Sequence, residues 1–269
     1  MITAVVIGAN GFLGGALVKK LISENQNVIA VYNLHFDKID SRAKILNKEE
    51  FLNSTIEVDY IYFLGGNYLN SHNQLLEINF DLYKYINIYP FAKHIYISST
   101  NVYGTHSTDI KENSSFNNPS LYAQFKLSGE FLVSSLKNYS IIRLTYLYGP
   151  GITNTSFLPT IIKQAKEKLE ININGDGERY QDYLYIEDAV DFIFLTSIRS
   201  ESQIYLAATG TKTTNKEVAY LIANFTGCKV NFIGKEHASS YRFNPIKSLT
   251  TLNWKPKIKF KKGLLKMLE

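Results

Sequence analysis

Hydrophobic residues recur along this chain with two alternating periods. Short apolar runs rich in Val, Ile and Tyr stand at 5–7, 27–32, 58–64, 94–97, 140–144 and 204–208. Runs of that length, bounded by glycine or polar residues, read as strands buried on both faces. Between them apolar residues return at helical spacing, at Ala16, Leu17, Leu21 and Ile22 and again over 73–88, 120–130, 157–169 and the later part of 183–198. Strand and helix alternating in this way predict an α/β fold, a doubly wound parallel sheet covered by helices on both faces. The stretch 35–58 is polar and poorly patterned, and no strand is assigned there. The helix over 73–88 carries apolar residues on more than one face (Leu75, Leu76, Ile78, Phe80, Leu82, Tyr85, Ile86). It is therefore expected to pack on the sheet and on a second surface, with a second subunit as the candidate. Thr214 or Asn215 is expected to cap a helix that follows.

The first strand runs directly into glycines: Val5-Val6-Ile7-Gly8-Ala9-Asn10-Gly11-Phe12-Leu13-Gly14-Gly15. A strand, a glycine turn and a helix start present backbone N–H groups and the positive end of a helix dipole, which suit a pyrophosphate. Glycine lets the backbone approach the ligand and lets the helix sit close to the strand. A plain turn with glycines for packing would spell the same letters. The strand before and the helix after favour a dinucleotide site of Rossmann type, with Gly8, Asn10, Gly11, Phe12, Leu13 and Gly14 against the ligand. An acid at the end of the second strand would bind the ribose 2′-OH and select NAD. Here that end reads Tyr32-Asn33-Leu34, with Lys38 and Arg42 shortly beyond. No carboxylate repels a 2′-phosphate, so NADP(H) is favoured and NAD stays possible.

Composition narrows the class. Hydrophobic residues make up 45% and charged residues 20% of 269, as in ordinary globular proteins. No apolar run is long enough to span a membrane. The first strand begins almost at Met1, so no signal peptide is expected. The single cysteine, Cys228, cannot form an internal disulfide, which points to a reducing compartment, the cytoplasm. The net charge is +5, and much of the excess lies in the lysines after residue 254. Phe260, Leu264, Leu265 and Leu268 interleave with them, so a solvated face on a packed helix is favoured over a nucleic-acid site. No metal site, nucleic-acid partner or membrane partner is expected.

Candidate chemistry lies in the middle of the chain. Tyr122 and Lys126 are one helical turn apart and share a face. A nearby ammonium and a positive nicotinamide would favour the phenolate and bring the Tyr122 pKa toward neutrality. Ser99 ends a parallel strand on the edge where such sheets bind ligands. Together the three suit hydride transfer between a nicotinamide and a secondary alcohol or ketone. The chain has 19 tyrosines, and a second Tyr-x-x-x-Lys stands at Tyr89 and Lys93. Pro90 and the strand that follows deny that copy a regular helical face.

Taken together, these motifs resemble the extended short-chain dehydrogenases/reductases of the NAD-dependent epimerase/dehydratase family, which act mostly on nucleotide sugars. The matching residues run in family order: Gly8-x-x-Gly11-x-x-Gly14, Leu64-Gly65-Gly66, Asn79, Ser98-Ser99-x-x-Val102-Tyr103-Gly104, Tyr122-x-x-x-Lys126, Arg143-Leu144-x-x-x-Tyr148-Gly149-Pro150-Gly151, Gly175-x-Gly177-x-x-x-x-Asp182-Tyr183, Glu187-Asp188-Ala189 and Leu252-Asn253-Trp254-x-Pro256. The resemblance implies Tyr122 as general acid/base, Lys126 on the nicotinamide ribose and Ser99 on the substrate oxygen. It adds Leu64, Gly65, Gly66, Asn79 and Ile97 to the cofactor contacts. Substrate contacts are expected from Ser99, Thr100, Asn101, Tyr122, Tyr146, Phe157, Leu158 and Arg179. Residues 1–150, with 183–208 returning to them, would form the dinucleotide-binding domain, and 151–182 with 209–269 a small substrate lobe. A homodimer through the helices bearing Asn79 and Tyr122 is implied as well.

Departures from the family pattern choose among reactions. Family dehydratases carry Asp-Glu after the catalytic hydroxyl residue, whereas Thr100 and Asn101 stand here. Gln181 replaces the usual Arg before Asp182, which shifts phosphate recognition toward Arg179, and Tyr146 replaces a small polar residue. These differences favour an NADPH-dependent 4-ketoreductase acting on a 4-keto-6-deoxy nucleotide sugar, a source of deoxysugar donors for surface polysaccharide. A 4-epimerase with tightly held NAD is the alternative. A non-catalytic NADP-binding regulator is the third reading, though it would not need Ser99, Tyr122 and Lys126 together.

Overall fold

The computed structural model describes residues 1–66 and 69–269. The elements in order are β1 (Thr3–Ile7), α1 (Phe12–Ser23), β2 (Asn27–Tyr32), β3 (Lys44–Asn47), α2 (Lys48–Leu52), β4 (Tyr60–Phe63), α3 (His72–Ile88), β5 (Lys93–Ser99), α4 (Leu121–Ser134), β6 (Tyr139–Leu144) and β7 (Tyr146–Tyr148). They continue with α5 (Phe157–Lys168), β8 (Glu170–Asn174), β9 (Tyr180–Gln181), β10 (Tyr183–Tyr185), α6 (Ile186–Ser197), β11 (Gln203–Ala207), β12 (Thr213–Thr214), α7 (Asn215–Thr226), β13 (Lys229–Ile233), α8 (Ile246–Leu252) and α9 (Phe260–Leu268).

Seven strands form one sheet in the order β11-β6-β5-β4-β1-β2-β3, and every neighbouring pair is parallel. The order reverses between β1 and β4, so the crevice at their carboxyl ends is where a ligand fits in an open sheet of this kind. Strand periodicity splits the core in two. Ala4, Val6, Ala30, Tyr62 and Ile95 point to the side covered by α1 and α6. Val5, Ile29, Val31, Ile61 and Phe63 point to the side covered by α3 and α4. A third core, built on Ile161, Ile171, Ile173, Val218 and Leu264, holds together the elements after residue 150.

The polar stretch 35–58 holds a strand and a helix where none was assigned. β3 offers one apolar residue to each face of the sheet, Ile45 to one and Leu46 to the other, too few to show a period. Its edge position explains the polar flanks. α2 follows at once behind a capping box of Asn47 and Glu50. Capping boxes also start α3 (Ser71 with Gln74) and α7 (Thr214 with Glu217), so Thr214 is the cap.

The basic C-terminal helix α9 packs through Leu264 and Leu268, with Lys261 and Lys262 exposed and Lys266 over the Tyr185 ring. The second Tyr-x-x-x-Lys pair is split, with Tyr89 ending α3 and Lys93 opening β5. The Lys93 ammonium is buried and donates to the Thr196 and Arg199 carbonyls at the end of α6, far from the switch point. Leu76, Phe80 and Tyr83 of α3 and Phe131 of α4 are exposed. Leu76 and Phe80 thus form the second apolar face that the pattern of residues 73–88 shows.

Candidate active site

Glycine sets the geometry at the switch point. A Cβ on Gly14 would stand 2.1 Å from the Gly8 carbonyl oxygen, so only glycine lets α1 start this close to β1. Gly8 itself has φ +86°, and the Gly8 and Ala9 N–H groups bond the Val31 carbonyl. Gly11 caps α1 with no side-chain partner, and the first turn of the helix carries no acid. Its N–H groups therefore face the crevice uncommitted, as a pyrophosphate requires. Asn10 ties this turn to the loop after β2: its Oδ1 accepts the Lys38 N–H (2.9 Å) and its Nδ2 donates to Asp37 (3.4 Å).

A cavity of about 920 Å³ extends from the turn to the segment after β7. It brings together Gly8, Asn10, Gly11, Phe12, Leu13, Gly14, Tyr32, Asn33, Leu64, Gly65, Gly66 and Ile97 of the expected cofactor contacts. Ser99, Thr100, Asn101, Tyr122, Lys126, Tyr146 and Arg179 line the same space. Three expected contacts fall elsewhere. Asn79 donates its Nδ2 to the Phe125 carbonyl (3.0 Å) and so clamps α3 to α4 one residue before Lys126. Leu158 is wholly buried in the core built on Ile161, Ile171 and Val218. Phe157 lines a neighbouring cavity instead.

Lys126 is placed by a second close approach. Gly129, on the next turn of α4, has no room for a Cβ, which would lie 2.2 Å from the Tyr96 hydroxyl. α4 thus presses on β5, and the Lys126 Nζ donates to the Gly65 carbonyl (2.7 Å) and the Ile97 carbonyl (3.0 Å). An ammonium has three N–H bonds; the third is left for a ligand. Burial brings the Lys126 pKa down to about 8. Above that pH a neutral amine has just two N–H bonds, both claimed by the carbonyls. Dinucleotide affinity is therefore expected to fall about tenfold between about pH 7 and about pH 9, the loss of one charged hydrogen bond. Calorimetric titration at several pH values checks this, and Lys126→Met should flatten the profile; a flat wild-type profile would remove this role from Lys126.

Tyr122 departs from the expectation. Lys126 Nζ lies 6.0 Å from the centre of the Tyr122 ring and is turned to the two carbonyls. Burial, rather than the ammonium, dominates and pushes the phenol up to about 12. In the protein by itself Tyr122 is thus a held proton. Ser99 stands at the end of β5, where its Oγ accepts the Asn101 N–H (3.2 Å) and caps a 3₁₀ turn over Thr100–Tyr103.

Asp182 also lines the cavity, but its carboxylate accepts N–H groups of Thr209 (2.9 Å) and Gly210 (2.7 Å), and burial raises its pKa to about 6. It holds two chain segments together. Asp40, in the loop after β2, is bound by Arg42 through Nε and Nη2. Neither Asp37 nor Asp40 lines the cavity, while His35 does. Tyr241 and Phe243 close the far side and went unassigned in the sequence. Their segment is stitched by backbone pairing of Ile110 with Arg242 and Asn244, and by the Arg242–Asp109 ion pair. No periodicity marks such a strap. Among the described residues, no group of three or more His, Cys, Asp or Glu is placed to hold a metal, and no helix is long and apolar enough to cross a membrane.

The glycine cradle, the open helix start and the spare N–H of Lys126 fit a dinucleotide. A family model described as NAD dependent epimerase/dehydratase family matches residues 4–207. The chain belongs to this family. Two relatives in the epimerase/dehydratase group span nearly its whole length. GDP-L-fucose synthase of Sinorhizobium fredii is 24% identical, covering 98% of this chain and 93% of that protein. A putative UDP-glucose 4-epimerase of Methanocaldococcus jannaschii is 27% identical over 98% of this chain and 96% of its own. In fold, the chain is similar to MoeE5 in complex with UDP-glucose and NAD, with a TM-score of 0.88 and 19% identity, covering 100% and 97% of the two chains.

Proposed function

We propose that this family member reduces the 4-keto group of a 4-keto-6-deoxy nucleotide sugar with NADPH, giving a deoxysugar donor. The carrying observation is the reacting end of the cavity. Ser99, Thr100, Asn101 and Tyr122 bring hydroxyls, an amide and a phenol there, and the one carboxylate on the cavity wall among the described residues, Asp182, is already committed to the Thr209 and Gly210 N–H groups. Eliminating water from a sugar needs a base for a carbon-bound proton and an acid for the leaving hydroxyl. Reducing a ketone needs a hydride and one proton. A bound NADPH supplies the hydride. Tyr122 gives its Oη proton to the keto oxygen, and the Ser99 hydroxyl orients that oxygen by donating a hydrogen bond. The phenol carries its proton at neutral pH, and the strongly basic alkoxide formed by hydride addition can take it. Arg179, on the cavity wall, supplies the cation for the diphosphate. The cofactor preference rests on the ribose end, where Tyr32, Asn33, Leu34 and His35 line the cavity without an acid.

A 4-epimerase with retained NAD uses the same three side chains and is supported by the 27% identity to the putative UDP-glucose 4-epimerase. One measurement separates the two. The freshly purified protein is denatured and its released nucleotide identified. An empty protein that then binds NADPH more tightly than NADH, and consumes it with a 4-keto nucleotide sugar, is expected. Stoichiometric NAD⁺ would instead make the protein an epimerase.

A further inference from the structure

Two segments far apart in the chain meet at the reacting end of the cavity. Ser99, Thr100 and Asn101 close β5 and open the turn after it, while Tyr241 and Phe243 stand on the strap before α8. Phe243 is buried in a small core with Val102, Tyr103 and Leu206, and Tyr241 and Leu127 pack against that core. The aromatic wall thus lies beside the turn that Ser99 caps and beside the α4 residue that follows Lys126. Apolar packing is non-directional. It brings the strap to this place without fixing where Tyr241 and Phe243 stand along the wall.

Hydrogen bonds from the loop between β5 and α4 fix it. The Ile110 N–H donates to the Arg242 carbonyl (2.8 Å), and the Asn244 N–H donates to the Ile110 carbonyl (2.8 Å). Two residues on, Glu112 is 8% exposed between exposed Lys111 and Asn113. Its Oε1 accepts the Ser248 N–H (2.9 Å) and the Ser248 hydroxyl (2.5 Å). Ser248 lies in the first turn of α8, where N–H groups have no partner within the helix, and Pro245 brings no side-chain cap. The Ser248 Oγ in turn accepts the Leu206 N–H of β11 (2.8 Å). The backbone carbonyl of Glu112 accepts from Arg143 Nη1 (3.0 Å) and the Tyr103 hydroxyl (3.3 Å). Arg143 is bonded to Glu130, whose carboxylate holds the Ser98 hydroxyl next to Ser99. One residue therefore joins the aromatic wall to the segment that bears Ser99. Burying a carboxylate is costly, and apolar side chains would hold the same segments without that cost. What the carboxylate adds is a set distance and direction.

We propose that Glu112 is a positioning residue for the substrate, setting the strap so that Tyr241 and Phe243 form the wall against which the sugar binds. The proposal rests on the nucleotide-sugar reading above and adds the group that shapes its sugar site. Glu112 does not line the cavity, so it acts through the strap. Its side chain holds neither the glycine turn nor Lys126, which keeps the Gly65 and Ile97 carbonyls. Its bond to Arg143 comes from the backbone and survives a change of side chain. Sugar binding is thus the quantity that the carboxylate controls.

Steady-state kinetics of the full-length protein with NADPH and a 4-keto nucleotide sugar, beside an NADPH titration, test this. Glu112→Ala is expected to raise KM for the sugar about tenfold, with kcat and NADPH affinity within about twofold of the parent. Glu112→Gln, which keeps an oxygen for Ser248, should return KM to within about threefold. In a Tyr241→Ala background Glu112→Ala should add less than about twofold, since residues acting through one wall are not additive. Should circular dichroism show Glu112→Ala unfolded, Ser248→Ala decides, with KM raised about threefold at unchanged kcat. An unchanged KM, a full tenfold rise in the Tyr241→Ala background, or kcat and NADPH affinity falling together with KM in a folded variant would overturn the role of Glu112 and leave the nucleotide-sugar reading standing. A parent protein that turns over no nucleotide sugar would overturn both.

Discussion

Turnover by the Tyr122→Phe protein is expected to fall by roughly 10²–10⁴-fold, the usual contribution of a positioned acid, with dinucleotide affinity nearly unchanged. The substitution removes one oxygen from a half-buried side chain on the cavity wall and keeps its ring, so the packing of α4 stays as it is. Lys126 keeps both its carbonyl partners, because its Nζ bonds to Gly65 and Ile97 and not to the phenol. The cofactor cradle is likewise untouched, since Gly8, Gly11 and Gly14 belong to the turn between β1 and α1. What disappears is the proton that burial holds on the hydroxyl. Thr100 and Asn101 offer no acidic replacement. Steady-state rates with a 4-keto nucleotide sugar, beside a dinucleotide titration, measure the two quantities separately. Unchanged turnover would remove Tyr122 from catalysis, and joint loss of turnover and binding would make its role structural.

Glu130→Ala is expected to lower the unfolding free energy by about 3–5 kcal/mol, the cost of leaving one partner of a buried ion pair alone. Glu130 and Arg143 are almost wholly buried and joined through Arg143 Nε (3.0 Å) and Nη2 (2.6 Å). The Ser98 hydroxyl donates to the same carboxylate (2.5 Å), and Arg143 Nη1 donates to the Glu112 carbonyl (3.0 Å). The guanidinium also stacks over the rings of Tyr103 and Phe116. One network thus binds α4, β5, β6 and the loop between β5 and α4, next to Ser99 in sequence. Removing the carboxylate strands a cation that cannot reach water and frees the Ser98 hydroxyl. Against a typical total of roughly 5–15 kcal/mol, that loss is severe. Urea unfolding curves measure it. The double variant Glu130→Leu with Arg143→Met should lose less than Glu130→Ala, because no charge is then stranded. A single variant as stable as the parent would show that the pair contributes nothing.

Much of the site could be read before any coordinates because its parts are local. A glycine turn between a strand and a helix, or a tyrosine and a lysine one turn apart, depends on a few consecutive residues and their period. Gly8, Gly11, Gly14, Tyr122 and Lys126 announce themselves in this way, and the parallel sheet follows from the alternation of runs. Residues that meet only through the path of the chain leave no such trace. Tyr241 and Phe243 reach the cavity because the segment holding them pairs with Ile110, more than a hundred residues earlier. Asn79 and Leu158 carry motif-like letters, yet the direction of their side chains sends one to the α3–α4 clamp and the other into a core. β3 escaped because one apolar residue on each face leaves no period to detect.

The sequence by itself determined the alternation of most strands and helices, the dinucleotide turn and the shared face of Tyr122 and Lys126, because each is encoded in neighbouring residues and their spacing. Tertiary structure alone decided the protonation of Tyr122, the direction of the Lys126 ammonium and the pairing of Glu130 with Arg143. Those depend on burial and on distances between segments far apart in the chain, and it is burial that converts an ordinary tyrosine, lysine and glutamate into groups with altered charge behaviour or an obligatory partner.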